Sequence, residues 1–312
     1  MPAGGTGRRT GPANLPGVAP TRFIDPYAVP GEYRKTQLHC HTTNSDGRLS
    51  PRALLERYRA RGYAVVVFTD HDRVTACDDL DDGEFRALPG VETTVPRPFR
   101  PFGPHMGRLG SPGTLRAGNA QACIDATAAA GGVVSLHHPS WTGNGLTGRW
   151  SVAEMIRLRG YHLIEISNHH SRTEEDVRRW TALLRHRGPA AAVGGVAADD
   201  LHRERDLDTG WVMLKTPALS ADGVLQALRR LALYASTGPG AEFGVRSDTI
   251  HCVTDAPRIR FVDAADLLRY EASGPEATYA PSGDEGFVRV ECVGRSGATA
   301  WSQPFWLVPE GE

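Results

Sequence analysis

Two histidines bracket one residue in Gln37-Leu38-His39-Cys40-His41, a short strand-like run. Side chains in a strand alternate faces, so His39 and His41 project together while Cys40 points away. Two imidazoles on one face offer a bidentate grip to a transition metal. Asp46-Gly47 follows shortly after, and Asp70-His71 ends the next apolar run, Ala64 to Thr69. Later, Glu92 ends a third strand-like segment and His105 lies in the segment after it. His137-His138-Pro139 follows Val133 to Leu136, and Asp200-Leu201-His202 follows Val196. Mixed imidazole and carboxylate ligands suit manganese, zinc or iron better than calcium.

The elements that must hold these groups alternate along the chain. Ser50 caps a helix that has Pro51 at its first position and ends before Gly62. Strands are expected at 64–69 and 88–92, a helix around 117–130, and a strand at 133–136. Ser151-Val-Ala-Glu154 and Thr173-Glu-Glu-Asp176 fit the capping-box pattern and open two helices, with a strand at 163–166 between them. Strands at 191–196, 211–214 and 233–235 and a helix near 221–231 complete the series. About seven β-then-α cycles favour a parallel barrel over an open sheet. In such barrels the chemistry sits at the carboxyl ends of the strands, where the candidate groups fall.

Residues 1–33 read as an irregular arm broken by prolines, 34–243 as the barrel, and 244–312 as a small β-rich appendage. The last reading rests on short segments such as 258–262, 287–292 and 305–308. The 35 basic and 36 acidic residues nearly cancel, so no electrostatic footprint for long nucleic acid or a membrane appears. Five scattered cysteines without Cys-x-x-Cys spacing argue against a disulfide framework and a cysteine zinc site. With no apolar run long enough to span a bilayer and no signal-like N-terminus, a cytoplasmic protein is expected.

The ordered set His39-Cys-His41, Asp46-Gly47, Thr69-Asp70-His71, Gly90-Val-Glu92, His138-Pro139 and Asp200-Leu-His202 resembles the polymerase-and-histidinol-phosphatase (PHP) family across about residues 36–240. Tyr234-Ala-Ser-Thr-Gly-Pro239 and Ala300-Trp-Ser-Gln-Pro304 also resemble stand-alone members with an appended β domain. The resemblance implies an α/β fold, a distorted (β/α)7 barrel with a small C-terminal β-rich domain, holding up to three divalent metals (Mn, Zn or Fe). It implies His39, His41, Glu92 and Asp200 at a first metal, and Glu92 bridging to a second completed by His105 and His138. Asp46, His71 and His202 would hold a third. The implied activity is metal-dependent phosphoesterase, with a metal-bridging hydroxide attacking a small phosphomonoester or nucleotide.

Around this set, Asp70 is expected either to tune His71 or to cap a helix, and His137 to face the core. Asn168-His169-His170 reads as loop residues in preference to substrate contacts, Cys40 as a small buried apolar group, and Arg108, Arg172, Arg203 and Arg205 as solvated surface in preference to phosphate ligands. Residues 141–150 form a Gly-rich loop that either covers the pocket or merely connects two elements. Asp200 is preferred to Asp199 because His202, two residues on, projects to its side. Two other readings compete. One is an amidohydrolase-like C–N hydrolase, which also begins with His-x-His but would want a bridging lysine where none is placed. The other is a non-catalytic metal-binding module. No particular oligomeric state is implied.

Overall fold

In a computed structural model, residues 21–77, 80–97, 102–110 and 118–309 are described. Residues 1–20 of the expected arm, and residue 117 at the start of an expected helix, lie outside them.

The site-bearing half begins with β2 (Glu32–Gln37), preceded by a short β1 (Thr21–Ile24). Helix α1 (Pro51–Arg59) follows, its first turn closed by Ser50 Oγ accepting from the Ala53 N–H. Then come β3 (Tyr63–Val67), β4 (Arg86–Leu88), β5 (Gly90–Thr94) and β6 (His105–Leu109). Helix α2 (Ala120–Ala129), β7 (Val133–Leu136), α3 (Val152–Arg157), β8 (Leu163–Ser167) and α4 (Thr173–Arg187) continue the alternation. It ends with β9 (Gly194–Ala197), β10 (Trp211–Thr216), α5 (Ala221–Arg229) and β11 (Leu233–Ser236).

The expected closed (β/α)7 ring is not what the ladders form. Strands β11-β10-β2-β3-β4 make one run and β5-β6-β7-β8-β9 a separate sheet. Two isolated parallel bridges, Cys40 with Leu201 and His71 with Glu92, link them beyond the strand ends. The expected strand at 88–92 is two strands in different sheets, broken at Pro89, which has no N–H for a ladder. The segment carrying His105 is a strand antiparallel to both β5 and β7, and β10 runs antiparallel to β2 and β11. Among the strand ladders of the described residues, only β2–β3, β3–β4, β7–β8 and β8–β9 are parallel, so the purely parallel expectation is corrected. Thr173 is likewise not the expected cap: Arg172 holds that position without a side-chain bond, and the Thr173 hydroxyl turns to Ser167.

The β-rich part comprises β12 (Ala241–Arg246), β13 (Thr249–Thr254), β14 (Arg258–Asp263), β15 (Leu268–Ser273), β16 (Glu276–Tyr279), β17 (Phe287–Val293), β18 (Thr299–Trp301) and β19 (Phe305–Pro309). Strands β12, β13 and β16 form a small sheet, while β17, β18 and β19 extend the sheet that contains β11. The last part of the expected arm also belongs here: β1 pairs antiparallel with β19, and the buried Tyr27 hydroxyl donates to Leu233 O. A strand whose partner lies at the far end of the chain leaves no local periodic signal, which is why prolines dominated the sequence reading. The boundary expected after residue 243 falls inside β12. No helix among the described residues is long and apolar enough to cross a membrane.

Candidate metal centre

The backbone that presents His39 and His41 is fixed from the side by Gln37, whose Oε1 accepts from the N–H groups of Leu38 and His39. Beyond β2 the chain lies alongside residues 199–202: Asp200 N donates to His39 O (3.1 Å) and His41 N to Leu201 O (2.9 Å). This pairing sets His39 and His41 opposite Asp200. Cys40 points away into an apolar cluster with Leu54, Tyr58 and Phe68, as alternation requires. Asp199 faces away too, accepting from the Tyr58 hydroxyl and from the N–H groups of Asp208, Thr209 and Gly210.

The first group is tight. His39 Nε2 and His41 Nε2 are 3.1 Å apart, and Asp200 Oδ1 lies 3.1 and 3.2 Å from them. Glu92 adds Oε1 at 3.2 Å from His39 Nε2 and Oε2 at 3.3 Å from His41 Nε2. Ligands about 2.1 Å from one ion sit about 3.0 Å apart on an octahedral edge and about 3.4 Å on a tetrahedral one. Asp200 Oδ1 is buried without a hydrogen-bond partner despite its two imidazole neighbours, as are His41 Nδ1, His105 Nδ1 and His138 Nδ1. Buried polar atoms ordinarily find partners. His39 Nε2, His41 Nε2 and Asp200 Oδ1, 3.1–3.2 Å from one another, converge at the edge lengths of a coordination shell, so this donor set fits a divalent cation.

Glu92 stands at the centre. Its Oε1 lies 3.2 Å from both His105 Nδ1 and His138 Nε2, and its Oε2 3.2 Å from His71 Nδ1. The remaining group is looser: Asp46 Oδ2 is 3.5 Å from His71 Nε2 and 3.4 Å from His202 Nε2, and Asp46 Oδ1 is 3.6 Å from His41 Nδ1. All nine residues implied by the resemblance are thus brought together. Gly47 lets this loop close, because a Cβ there would stand 2.3 Å from His41 O. His138 (φ 27°) and Asp200 (φ 49°) both occupy the left-handed region, and such local strain gathers at functional sites.

The charges are strongly coupled. Burial opposes charge on His39 and His41, yet Asp200 and Glu92 win, raising His39 well above its ordinary value and His41 to about 9. Burial alone would raise Glu92 and Asp200, but His39 and its neighbouring imidazoles hold both well below the carboxylate range. The hydrogen bond from His202 is the main reason Asp46 is lowered.

Several expectations change. Asp70 neither touches His71 nor caps a helix; it accepts from Thr42 N, Thr42 Oγ1, Ser45 Oγ and Thr75 Oγ1, tying down the loop that carries Asp46. His137 is buried in the site rather than among apolar residues, with Nδ1 2.8 Å from Glu92 Oε1 and its ring stacked on His39 at 3.8 Å. Glu165, which the sequence reading passed over, lies 2.7 Å from His39 Nδ1. Its only sequence signal was a carboxylate inside an apolar strand. Arg108 is not solvated surface: it is buried, with Nε donating to Thr127 Oγ1. Arg172 is exposed beside Glu175 as expected.

A cavity of about 760 Å³ opens over the cluster. Arg48, Arg203 and Arg205 line it, with His169 and His170, so these loop residues belong to the site's wall. The Gly-rich loop covers part of the cluster: Trp141 packs on His105 and His138, and Asn144 Nδ2 is 3.1 Å from His105 Nε2.

In fold, the chain with its β-rich unit is similar to a solved two-domain protein. A two-domain protein from Bacteroides vulgatus, containing a predicted PHP-like metal-dependent phosphoesterase, superposes with a TM-score of 0.54. The match covers 94% of this chain and 100% of that one at 15% identity. An amidohydrolase from Chromobacterium violaceum, solved with sulfate and no metal, matches 54% of this chain and 88% of its own at 17% identity and a TM-score of 0.39, too distant to weigh. In sequence, a 48-residue stretch is 44% identical to a 5′-3′ exoribonuclease of Haemophilus influenzae, 15% of this chain and 18% of that enzyme's length. No family model matches the sequence.

Proposed function

We propose that this chain is a metal-dependent phosphoesterase that hydrolyses a small phosphomonoester or a nucleotide, with water as the nucleophile. The observation that carries the reading is the convergence of His39 Nε2, His41 Nε2, Glu92 and Asp200 Oδ1 on one point, with Asp200 Oδ1 buried and unpartnered. His39, His41, Glu92 and Asp200 would hold a first divalent ion, Glu92, His105 and His138 a second, and Asp46, His71 and His202 a third. Manganese, zinc or iron bound there would draw in a phosphate dianion, neutralise charge in the transition state and lower the pKa of water.

The chain's own groups do the rest. Glu92 presents one oxygen to each side of the cluster, and so fixes the spacing of what binds on both sides. Arg48, Arg203 and Arg205 line the same cavity and would orient anionic oxygens by charge-assisted hydrogen bonds. Water or a nearby histidine would supply the proton to the departing alkoxide; His170 Nε2 stands at the wall, 3.9 Å from Asp200 Oδ2. Trp141 and the loop it anchors would keep bulk water off the His105 side. The nearly balanced charge, 35 basic against 36 acidic residues, argues for a small phosphorylated substrate over long nucleic acid. A cytoplasmic setting remains part of this proposal.

The C–N hydrolase reading gains nothing from the site. The sequence holds only two lysines; Lys35 is bound to Asp208 and Lys215 to Tyr27 O, and neither lines the cavity.

The test is phosphate release from a panel of monoesters, nucleotides, bisphosphates, diesters and short 5′-phosphorylated oligonucleotides, with protein stripped and refilled with Mn²⁺, Zn²⁺ or Fe²⁺. Turnover of one small phosphate class, absent in His39→Ala, supports the proposal. Activity confined to oligonucleotides, or to cyclic amides, overturns it.

A further inference from the structure

Glu165 is a carboxylate on β8 with 1% of its surface exposed, and none of the nine implied ligand positions accounts for it. Every bond it makes leads to a residue of the cluster or to a residue that touches one. Oε1 is 2.7 Å from His39 Nδ1. Oε2 accepts from the His138 backbone N–H at 2.7 Å and from Asn168 Nδ2 at 2.9 Å. Asn168 Nδ2 in turn lies 3.3 Å from Asp200 Oδ2. A single side chain thus ties together residues that follow β2, β7 and β9.

We propose that Glu165 is a positioning residue for the metal centre, an inference that rests on the metal-binding reading above. A histidine ligates through one ring nitrogen only when the other carries the proton, and a carboxylate hydrogen-bonded to that N–H fixes both tautomer and ring angle. Glu165 Oε1 accepts the Nδ1 proton of His39 and leaves the Nε2 lone pair facing Asp200, Glu92 and His41. Oε2 holds the His138 backbone in its left-handed conformation (φ 27°), which turns that imidazole toward Glu92. Asn168 carries the same restraint to Asp200. Glu165 touches no reacting atom in this scheme; it acts through His39, His138 and Asp200.

The experiment is a Zn²⁺ titration of chelator-stripped full-length protein against a chromophoric competitor, in wild type, Glu165→Gln, Glu165→Asp and Asn168→Ala. Urea midpoints of the stripped proteins are measured alongside. Glu165→Gln is expected to weaken the tightest Zn²⁺ site by about 10- to 100-fold. Its Co²⁺ complex should show a shifted d–d spectrum, and the downfield His39 Nδ1–H resonance of the Zn²⁺ form should lose its protection from exchange. Asn168→Ala should weaken binding less. A merely structural glutamate would move the urea midpoint while leaving Zn²⁺ affinity and the Co²⁺ spectrum at wild-type values, and that result overturns the proposal. Should Glu165→Gln fail to fold, unchanged affinity and spectrum in both Glu165→Asp and Asn168→Ala overturn it equally. Wild-type protein that binds no Zn²⁺ overturns the metal reading itself, an outcome distinct from a wild type and a Glu165→Gln that bind alike.

Discussion

Metal-free protein should lose stability as pH rises from about 7 to about 8.5, and His41 lets the size of that loss be worked out. Against the cost of burial, Asp200 and Glu92 move its pKa from 6.5 to about 9. A raised folded-state pKa means that the folded form holds the proton more tightly. The stabilisation is therefore complete below the unfolded value and is lost as pH climbs through the folded one. The linkage relation gives about 2.5 kcal/mol at pH 7 and somewhat less than about 1 kcal/mol at pH 8.5, a loss of nearly 2 kcal/mol from this residue. His39, His138 and His202 are raised as well and add the same sign. His71, His137, His162 and His170 are lowered, mainly by burial, so their share changes chiefly below pH 6.5. Buried Cys40 and Cys252 are raised and lose stability toward alkaline pH, so the quantity to measure is a difference. Urea unfolding in chelator at the two pH values, for wild type and His41→Gln, should show a slope about 2 kcal/mol steeper in wild type. Saturating Zn²⁺ should flatten or reverse the wild-type slope, because ligation displaces protons. Equal slopes in the two metal-free proteins would refute the claim that Asp200 and Glu92 hold a proton on His41.

Asp200→Ala removes the carboxylate opposite both histidines and should cut phosphate release at least about 100-fold, with bound metal falling in parallel by elemental analysis. Gly107→Ala places a Cβ 2.2 Å from His137 Nε2, so it should cost about 1–3 kcal/mol in urea unfolding and weaken Zn²⁺ binding through Glu92. An unchanged midpoint would show that His137 moves freely. Gln303→Ala strips the partners of Gly195 N (3.0 Å) and Gly195 O (2.8 Å) and should cost about 2–5 kcal/mol, read from the urea midpoint. A loss below about 1 kcal/mol would mean that water replaces the amide.

What was legible in the sequence was local. His39 and His41 could be placed on one face because alternation is a property of any strand, and Ser50-Pro51 announced α1 because capping is a property of its first turn. The nine implied ligands came from the ordered motifs of the resemblance, and they meet although Glu92 lies mid-strand in β5, His105 opens β6 and Asp46 sits in the loop before α1. Residues whose meaning depends on a distant partner were not legible. Thr21–Ile24 reads as a broken arm until Phe305–Pro309 lies beside it. Arg108 reads as surface until α2 covers it, and Glu165 as one polar residue in an apolar strand until His39 arrives from 126 residues away. The antiparallel course of β6 and β10 was hidden for the same reason: direction is set by loop paths, and the side-chain pattern of one strand does not record it.

That dependence on distant partners also bears on the β-rich unit, which looks detachable in the sequence and is not so in the fold. Strand β18 continues the ladder of β11, with Ala235 opposite Trp301 and Ser236 opposite Ala300. Immediately after it, the Gln303 amide bonds both backbone groups of Gly195 on β9, taking the place of a neighbouring strand at the open side of that sheet. The Tyr27 hydroxyl accepts from the Gln303 backbone N–H and donates to Leu233 O, locking the same turn to β11. Strand β9 ends three residues before Asp200, so whatever fixes Gly195 also fixes the approach of that carboxylate to His39 and His41. A sheet that does not close by its own ladder needs its last strand held from outside. In this chain Gln303 of the C-terminal unit supplies that hold, on a strand whose end is three residues of chain away from Asp200.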